Sequence, residues 1–143
     1  MNKKFIVSGI IFLVVIVGIF YITDRMKYTT FQEVILDEIN QDEIKNIDIS
    51  RKSGNEASVS LSDKDLVAEI LKDFSDVKLK KVNENVVPNY TMFIYVDGYR
   101  YAVGINKTEN LIDIVDGKKA GIYKIVSDTD YLETIENLDL DWE

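Results

Sequence analysis

The chain has 143 residues, 46% of them hydrophobic, a formal net charge of −8, no cysteine, no histidine and a single proline, Pro88. The lack of cysteine and histidine excludes disulfides, a thiol nucleophile, a Ser-His-Asp triad, and any His- or Cys-ligated zinc centre. The acidic balance argues against nucleic acid as a partner and against docking onto anionic lipid.

Lys3 and Lys4 lead into eighteen residues without a charge, FIVSGIIFLVVIVGIFYI, at 5–22. As a helix they span about 27 Å, close to the roughly 30 Å hydrocarbon core of a bilayer. The run predicts a transmembrane helix, with 1–27 as the anchor and its flanks. It is longer than the about 7–15 apolar residues of a cleaved signal peptide, and no small-x-small cleavage site follows it. The first alanine is Ala57. The expectation is an uncleaved signal-anchor. Lys3 and Lys4 precede the span and Arg25 and Lys27 follow it, so the positive-inside count is nearly even. The large acidic domain beyond the span breaks the tie in favour of a cytoplasmic N-terminus and an extracytoplasmic C-terminal domain. Tyr21 and Tyr28 stand where interfacial aromatics belong. Gly9 and Gly18 form no small-xxx-small pair.

Residues 28–143 are enough for one domain with its own core. They carry 13 basic and 24 acidic residues, a net charge of −11. Thr30 caps a short helix over 31–36, with Glu33 at the capping-box position, and 40–43 read as a turn. Alternation over 44–51 points Ile47 and Ile49 inward. Lys52, Ser53, Gly54 and Asn55 turn the chain into a second strand, 57–61, with Val59 and Leu61 inward. Ser62 and Asp63 open the clearest helix, 63–74, in which Leu66, Val67, Ile70, Leu71 and Phe74 form one apolar stripe. A strand follows over 76–82, with Val77 and Leu79 inward and Lys78 and Lys80 outward. Residues 83–89 read as a polar loop.

The strongest hairpin signal is 90–96 and 99–106 around Asp97-Gly98, which suits a two-residue type I′ turn. It sets Val96 opposite Tyr99, Tyr95 opposite Arg100, Ile94 opposite Tyr101, Phe93 opposite Ala102 and Met92 opposite Val103. Strands over 111–115 and 121–126 flank a turn at 116–119. Ser127 is read as the cap of a last helix, 128–138, with Tyr131, Leu132, Ile135 and Leu138 apolar. The expected fold class is α+β: an N-terminal transmembrane helix, then a mostly antiparallel sheet with helices on one face. Helix 63–74 as a crossover between two parallel strands is the lesser reading.

The hairpin supplies the candidate partner-binding residues. Met92, Ile94, Val96, Tyr99, Tyr101 and Val103 share the core-facing side. With helices on that side only, Phe93, Tyr95 and Arg100 form an exposed aromatic and cationic patch, of residue types enriched at binding hot spots. The plainer account is that aromatics suit strands and that Tyr95–Arg100 is an ordinary cross-strand pair. Asp128, Asp130 and Glu133 lack the glycine and the third oxygen ligand of a calcium loop and suit the first turn of a helix. Gly117 and Gly121 lack phosphate-loop spacing. Lys78, Lys80 and Lys81 read as the solvated side of a strand. The two N-glycosylation sequons, at Asn89 and Asn106, are expected to be unused. No catalytic residue, metal ligand or small-molecule cofactor site is assigned.

The Lys3-Lys4 anchor, Ile47-x-Ile49, Val59-x-Leu61-x-Asp63, Val77-Lys-Leu-Lys-Lys81 and Tyr123-Lys-Ile125 ahead of an acidic helix give a layout that resembles small membrane-anchored or lipoprotein-type extracytoplasmic proteins of Gram-positive bacteria, many of unknown function. The likeness covers most of the chain, departs from the lipoprotein type in lacking the lipidated cysteine, and carries over no catalytic residue. The expected function is therefore a non-catalytic, single-pass cell-membrane protein whose extracytoplasmic domain binds a protein partner or envelope component, in an accessory, sensory or immunity-type role. A carboxylate-dependent envelope hydrolase and a calcium-binding surface module are the alternatives.

Overall fold

A computed structural model describes residues 3–52 and 56–137. The apolar run forms the helix α1, Lys3–Arg25, and none of its residues is buried. Met26 and Lys27 join it to β1, Tyr28–Thr30, which runs into a single turn of helix, α2, Phe31–Val34. Thr30 caps that turn, its Oγ1 accepting from the Glu33 amide at 3.2 Å. Two 3₁₀ turns, Leu36–Glu38 and Gln41–Glu43, lead to β2, Asn46–Arg51, and β3, Ala57–Leu61. Helix α3 spans Lys64–Ser75, capped by Asp63, whose carboxylate accepts from the Leu66 amide at 2.9 Å. Then come β4, Lys78–Lys81; β5, Tyr90–Val96; β6, Tyr99–Asn106; β7, Leu111–Ile114; β8, Gly121–Ile125; and α4, Glu133–Asn137.

The eight strands form one sheet in the order β1-β4-β8-β7-β6-β5-β2-β3, and every neighbouring pair is antiparallel. The fold is α+β. One sheet face carries the alternate apolar residues Ile47, Ile49, Leu79, Met92, Ile94, Val103, Ile105, Ile112, Ile114 and Ile125, and all are buried. Two connections cross this face, the segment from β1 to β2 through α2 and the helix α3 from β3 to β4. Their apolar stripes close the core, where Phe31 and Phe74 stack at 5.1 Å and Phe74 and Tyr131 at 5.5 Å between ring centroids.

The third crossover, 82–89 from β4 to β5, has no helix and runs over the other face. Its ends are tied to the sheet by Val82 N–H to the Ile122 carbonyl and Asn89 N–H to the Ile105 carbonyl, at 2.9 and 2.8 Å. Asn106 is buried and donates to the Val87 carbonyl at 2.9 Å and to Glu109 at 3.0 Å. Gly104 lies under Pro88, whose Cβ would stand 3.3 Å from a side chain at that position. That spacing is why β6 carries a glycine on this face.

The five expected hairpin pairs are all present, as are the inward residues of β2 to β5. Several expectations need correcting. The helix expected at 31–36 stops after Val34, and the turn at 40–43 is a 3₁₀ turn capped by Asn40. The three-residue strand β1 was not foreseen, being too short to show alternation. The hairpin turn is not type I′, which needs positive φ at both central residues. Among the described residues Asn110 is the one non-glycine with positive φ, and Gly98 alone carries it here, at 73°. Ser127 does not cap a helix: its hydroxyl accepts from the Lys78 amide at 3.1 Å, so the chain stays beside β4 and α4 begins only at Glu133. The lesser reading of α3 holds: β3 and β4 are not neighbours, but with six antiparallel steps between them they run in the same direction, so α3 crosses over between two parallel strands. Ser53, Gly54, Asn55, Leu138 and the acidic tail to Glu143 lie outside the described residues.

Tyr131 is buried beside Phe74, and its hydroxyl has no hydrogen-bond partner among the described residues. Burial pushes its pKa up to about 12. An unpaired buried hydroxyl loses hydration without replacement. Tyr131→Phe is therefore expected to leave stability unchanged or to raise it by about 1 kcal/mol, read as the midpoint of urea unfolding in mild detergent. A drop of that size would overturn the assignment.

Candidate functional site

The sheet face opposite the helices is covered at one side by the 82–89 strap and left open at the β5–β6 hairpin. Alternation aims Phe93 and Tyr95 of β5 and Arg100 and Ala102 of β6 to this side. Phe93 and Tyr95 are half-buried and Arg100 is exposed. The rings of Phe93 and Tyr95 lie 6.5 Å apart, and the Arg100 guanidinium carbon sits 4.8 Å from the centre of the Phe93 ring. The expected patch is thus assembled, with the cation over Phe93, its diagonal neighbour, as well as beside Tyr95. Such a contact contributes about 0.5–1 kcal/mol at an exposed position.

The neighbouring strands supply a polar margin. Asp48 lies beside Phe93 and Asn46 beside Tyr95, and Asn46 donates to Asp48 at 2.8 Å and to the Ser60 hydroxyl at 3.4 Å. On the other flank Val115, 58% exposed, donates its amide to the Ala102 carbonyl at 3.0 Å. The aromatics and the guanidinium are thus bordered by polar groups on the β2 side and by exposed Val115 on the other, a mixture of residue types found at protein-binding surfaces.

At the hairpin tip Lys45 pairs with Asp97 at 2.7 Å. The hydrogen bond from Lys45, with its charge, holds the Asp97 carboxyl below its ordinary value of 3.8. A depressed carboxyl stabilises the fold above the unfolded-state pKa, and that contribution is lost as pH falls through the lower folded value. Lys45→Ala is expected to return the Asp97 titration, followed by carboxyl NMR shift, to the ordinary range. An unchanged midpoint would show that the pair does not persist in solution.

Other chemistries find less. Asp128, Asp130 and Glu133 do not converge, and no group of three His, Cys, Asp or Glu among the described residues is placed to hold a metal ion. None of the described Asp or Glu residues is buried. A recess between α3 and the Gln41–Glu43 turn, lined by Ile44, Val67, Ala68 and Leu71, has a volume of about 150 Å³. Small-molecule sites are commonly about 300–1,000 Å³.

Sequence reasoning missed two features of this surface. The strap over Gly104 and Asn106 had no signal, since a polar loop does not disclose which face it crosses. Lys80 and Lys124 prove to be directly opposed across β4 and β8. The outward direction of Lys80 was legible, but its partner strand was not.

The chain matches no protein-family model, no curated protein and no solved structure. Its class rests on its own geometry: a single α+β domain built on an eight-stranded antiparallel sheet, preceded by one helix long and apolar enough to cross a membrane.

Proposed function

We propose that this chain is a single-pass membrane protein, its N-terminus cytoplasmic, displaying a non-catalytic extracytoplasmic domain that binds a protein partner or envelope component through Phe93, Tyr95 and Arg100. The observation that carries this reading is the contrast between α1 and the domain. No residue of α1 is buried, while Phe31, Phe74, Ile47, Ile94 and their neighbours close a core that uses none of it. An apolar surface of that extent needs a cover, and a bilayer fits both its length and its lack of a polar side.

The partner reading rests on the open sheet face. Its aromatics are held by strand pairing and cost little entropy to present, and its cation suits an acidic or aromatic counterpart. The test is crosslinking and affinity purification from intact membranes, with protease accessibility of the domain in whole cells. The chain is expected to remain at its full mass, the domain to be cut from outside, and a specific crosslinked species to form. Tyr95→Ala and Arg100→Ala are expected to weaken that species about thirtyfold, the size of a 2 kcal/mol hot spot, with circular dichroism unchanged. A chain shortened after α1 would identify a cleaved signal sequence. Unfolding by the alanine variants would make the patch structural.

A further inference from the structure

The domain is acidic as a whole, yet three of its lysines, Lys80, Lys81 and Lys124, lie beside the point where α1 enters it. Lys80 on β4 faces Tyr28 on one side and Lys124 of β8 on the other. Like charges directly opposite across a sheet are unfavourable, so this pair is not explained by stability. Lys81 is next along β4, and its amide donates to the Lys27 carbonyl at 2.9 Å. Arg25 ends α1. Asp24, 3.6 Å from Lys80 and 4.0 Å from Lys27, is the one carboxylate ion-paired with these five cations among the described residues. Lys124 and Lys81 are exposed, and Lys80 lies over the Tyr28 ring at 5.0 Å.

The connection sets the distance to the bilayer. Only Met26 and Lys27 separate α1 from β1, a reach of about 7 Å. The headgroup layer on each side of the hydrocarbon core is itself about 5–8 Å thick. With α1 in the bilayer, this corner of the sheet is tethered within reach of the headgroup layer. Charges further off than about 8–10 Å are screened at physiological salt, so the local surplus of cations outweighs the domain's net charge there.

We propose that Lys80 and Lys124, with Arg25, Lys27 and Lys81, dock this corner of the domain onto anionic lipid headgroups. This rests on the reading of α1 as a membrane span. It reverses the expectation drawn from net charge, because the charge is unevenly placed. Docking fixes the tilt of the sheet and so the direction in which the Phe93–Arg100 face is presented.

The chain has no cysteine, so a single spin label can be placed without background. The full chain carrying Ala120→Cys, in the loop before β8, or Ser58→Cys, on β3 at the far edge of the sheet, is reconstituted into vesicles of phosphatidylcholine alone or with phosphatidylglycerol. Relaxation by a nickel-chelating headgroup lipid reports proximity. Docking is supported if the label at 120 approaches the headgroups with phosphatidylglycerol, while the label at 58 does not respond. Lys80→Gln with Lys124→Gln should weaken docking about fivefold per charge, from about 1 kcal/mol per cation, and Lys80→Arg with Lys124→Arg should preserve it. Equal relaxation in both vesicles, or a glutamine pair that docks as well as the parent, overturns the proposal. Alkaline carbonate washing reads the span separately: a retained chain with an undocked domain overturns the lipid site alone, and a chain stripped from the vesicles overturns both.

Discussion

Phe74→Ala is expected to destabilise the domain by about 3–5 kcal/mol, the usual cost of emptying a buried phenylalanine site. Phe74 is fully buried on α3 and touches Phe31 from the first crossover and Tyr131 from the segment before α4. Its ring therefore joins three stretches of chain that are far apart in the sequence. Domains of this size have about 5–15 kcal/mol of stability, so the variant approaches the threshold of folding. Urea unfolding followed by near-ultraviolet circular dichroism in mild detergent should show a lowered midpoint with an unchanged slope. A loss below about 1 kcal/mol would mean that the aromatic cluster is not the centre of the core.

Replacing Val14 and Val17 by arginine is expected to release the chain from membranes. Each arginine near the centre of a span costs about 2.5–3.5 kcal/mol on insertion scales. Two shift insertion by more than about a thousandfold, at tenfold for every 1.4 kcal/mol. Because no residue of α1 is buried, the domain's unfolding midpoint should not move. The measurement is the distribution of the chain between pellet and supernatant after alkaline carbonate washing. Full retention of the doubly substituted chain would show that something other than α1 holds it.

The two variants divide the molecule as its chemistry does. One acts on a core closed by crossovers, the other on a helix long and apolar enough to cross a membrane. The patch at Phe93, Tyr95 and Arg100 belongs to neither. It was legible because strand alternation and a two-residue turn together determine which side chains stand side by side. Whether that side was open could not be read, because it depends on where the three crossovers run. Two cross the apolar face and the third crosses the other face as a strap held by Asn106 and accommodated by Gly104. Asn106 also shows a motif misleading: the sequon at 106 is a buried residue whose amide is committed to Val87 and Glu109. Ser127 looked like a helix cap because caps are local patterns, but a long-range donor, the Lys78 amide, claims its hydroxyl.

By itself the sequence determined what is local and periodic: an apolar run long enough to span a bilayer, the hairpin register around Asp97-Gly98, the stripe of α3, and the exclusion of cysteine and histidine chemistry. Those follow from length, from a period of two or 3.6, and from composition, none of which needs a distant partner. The tertiary structure alone decided strand order, the face left open, and the meeting of Lys80 with Lys124. Those depend on loop closure between residues far apart, where many pairings satisfy the same local pattern and only the packing of one shared core selects among them.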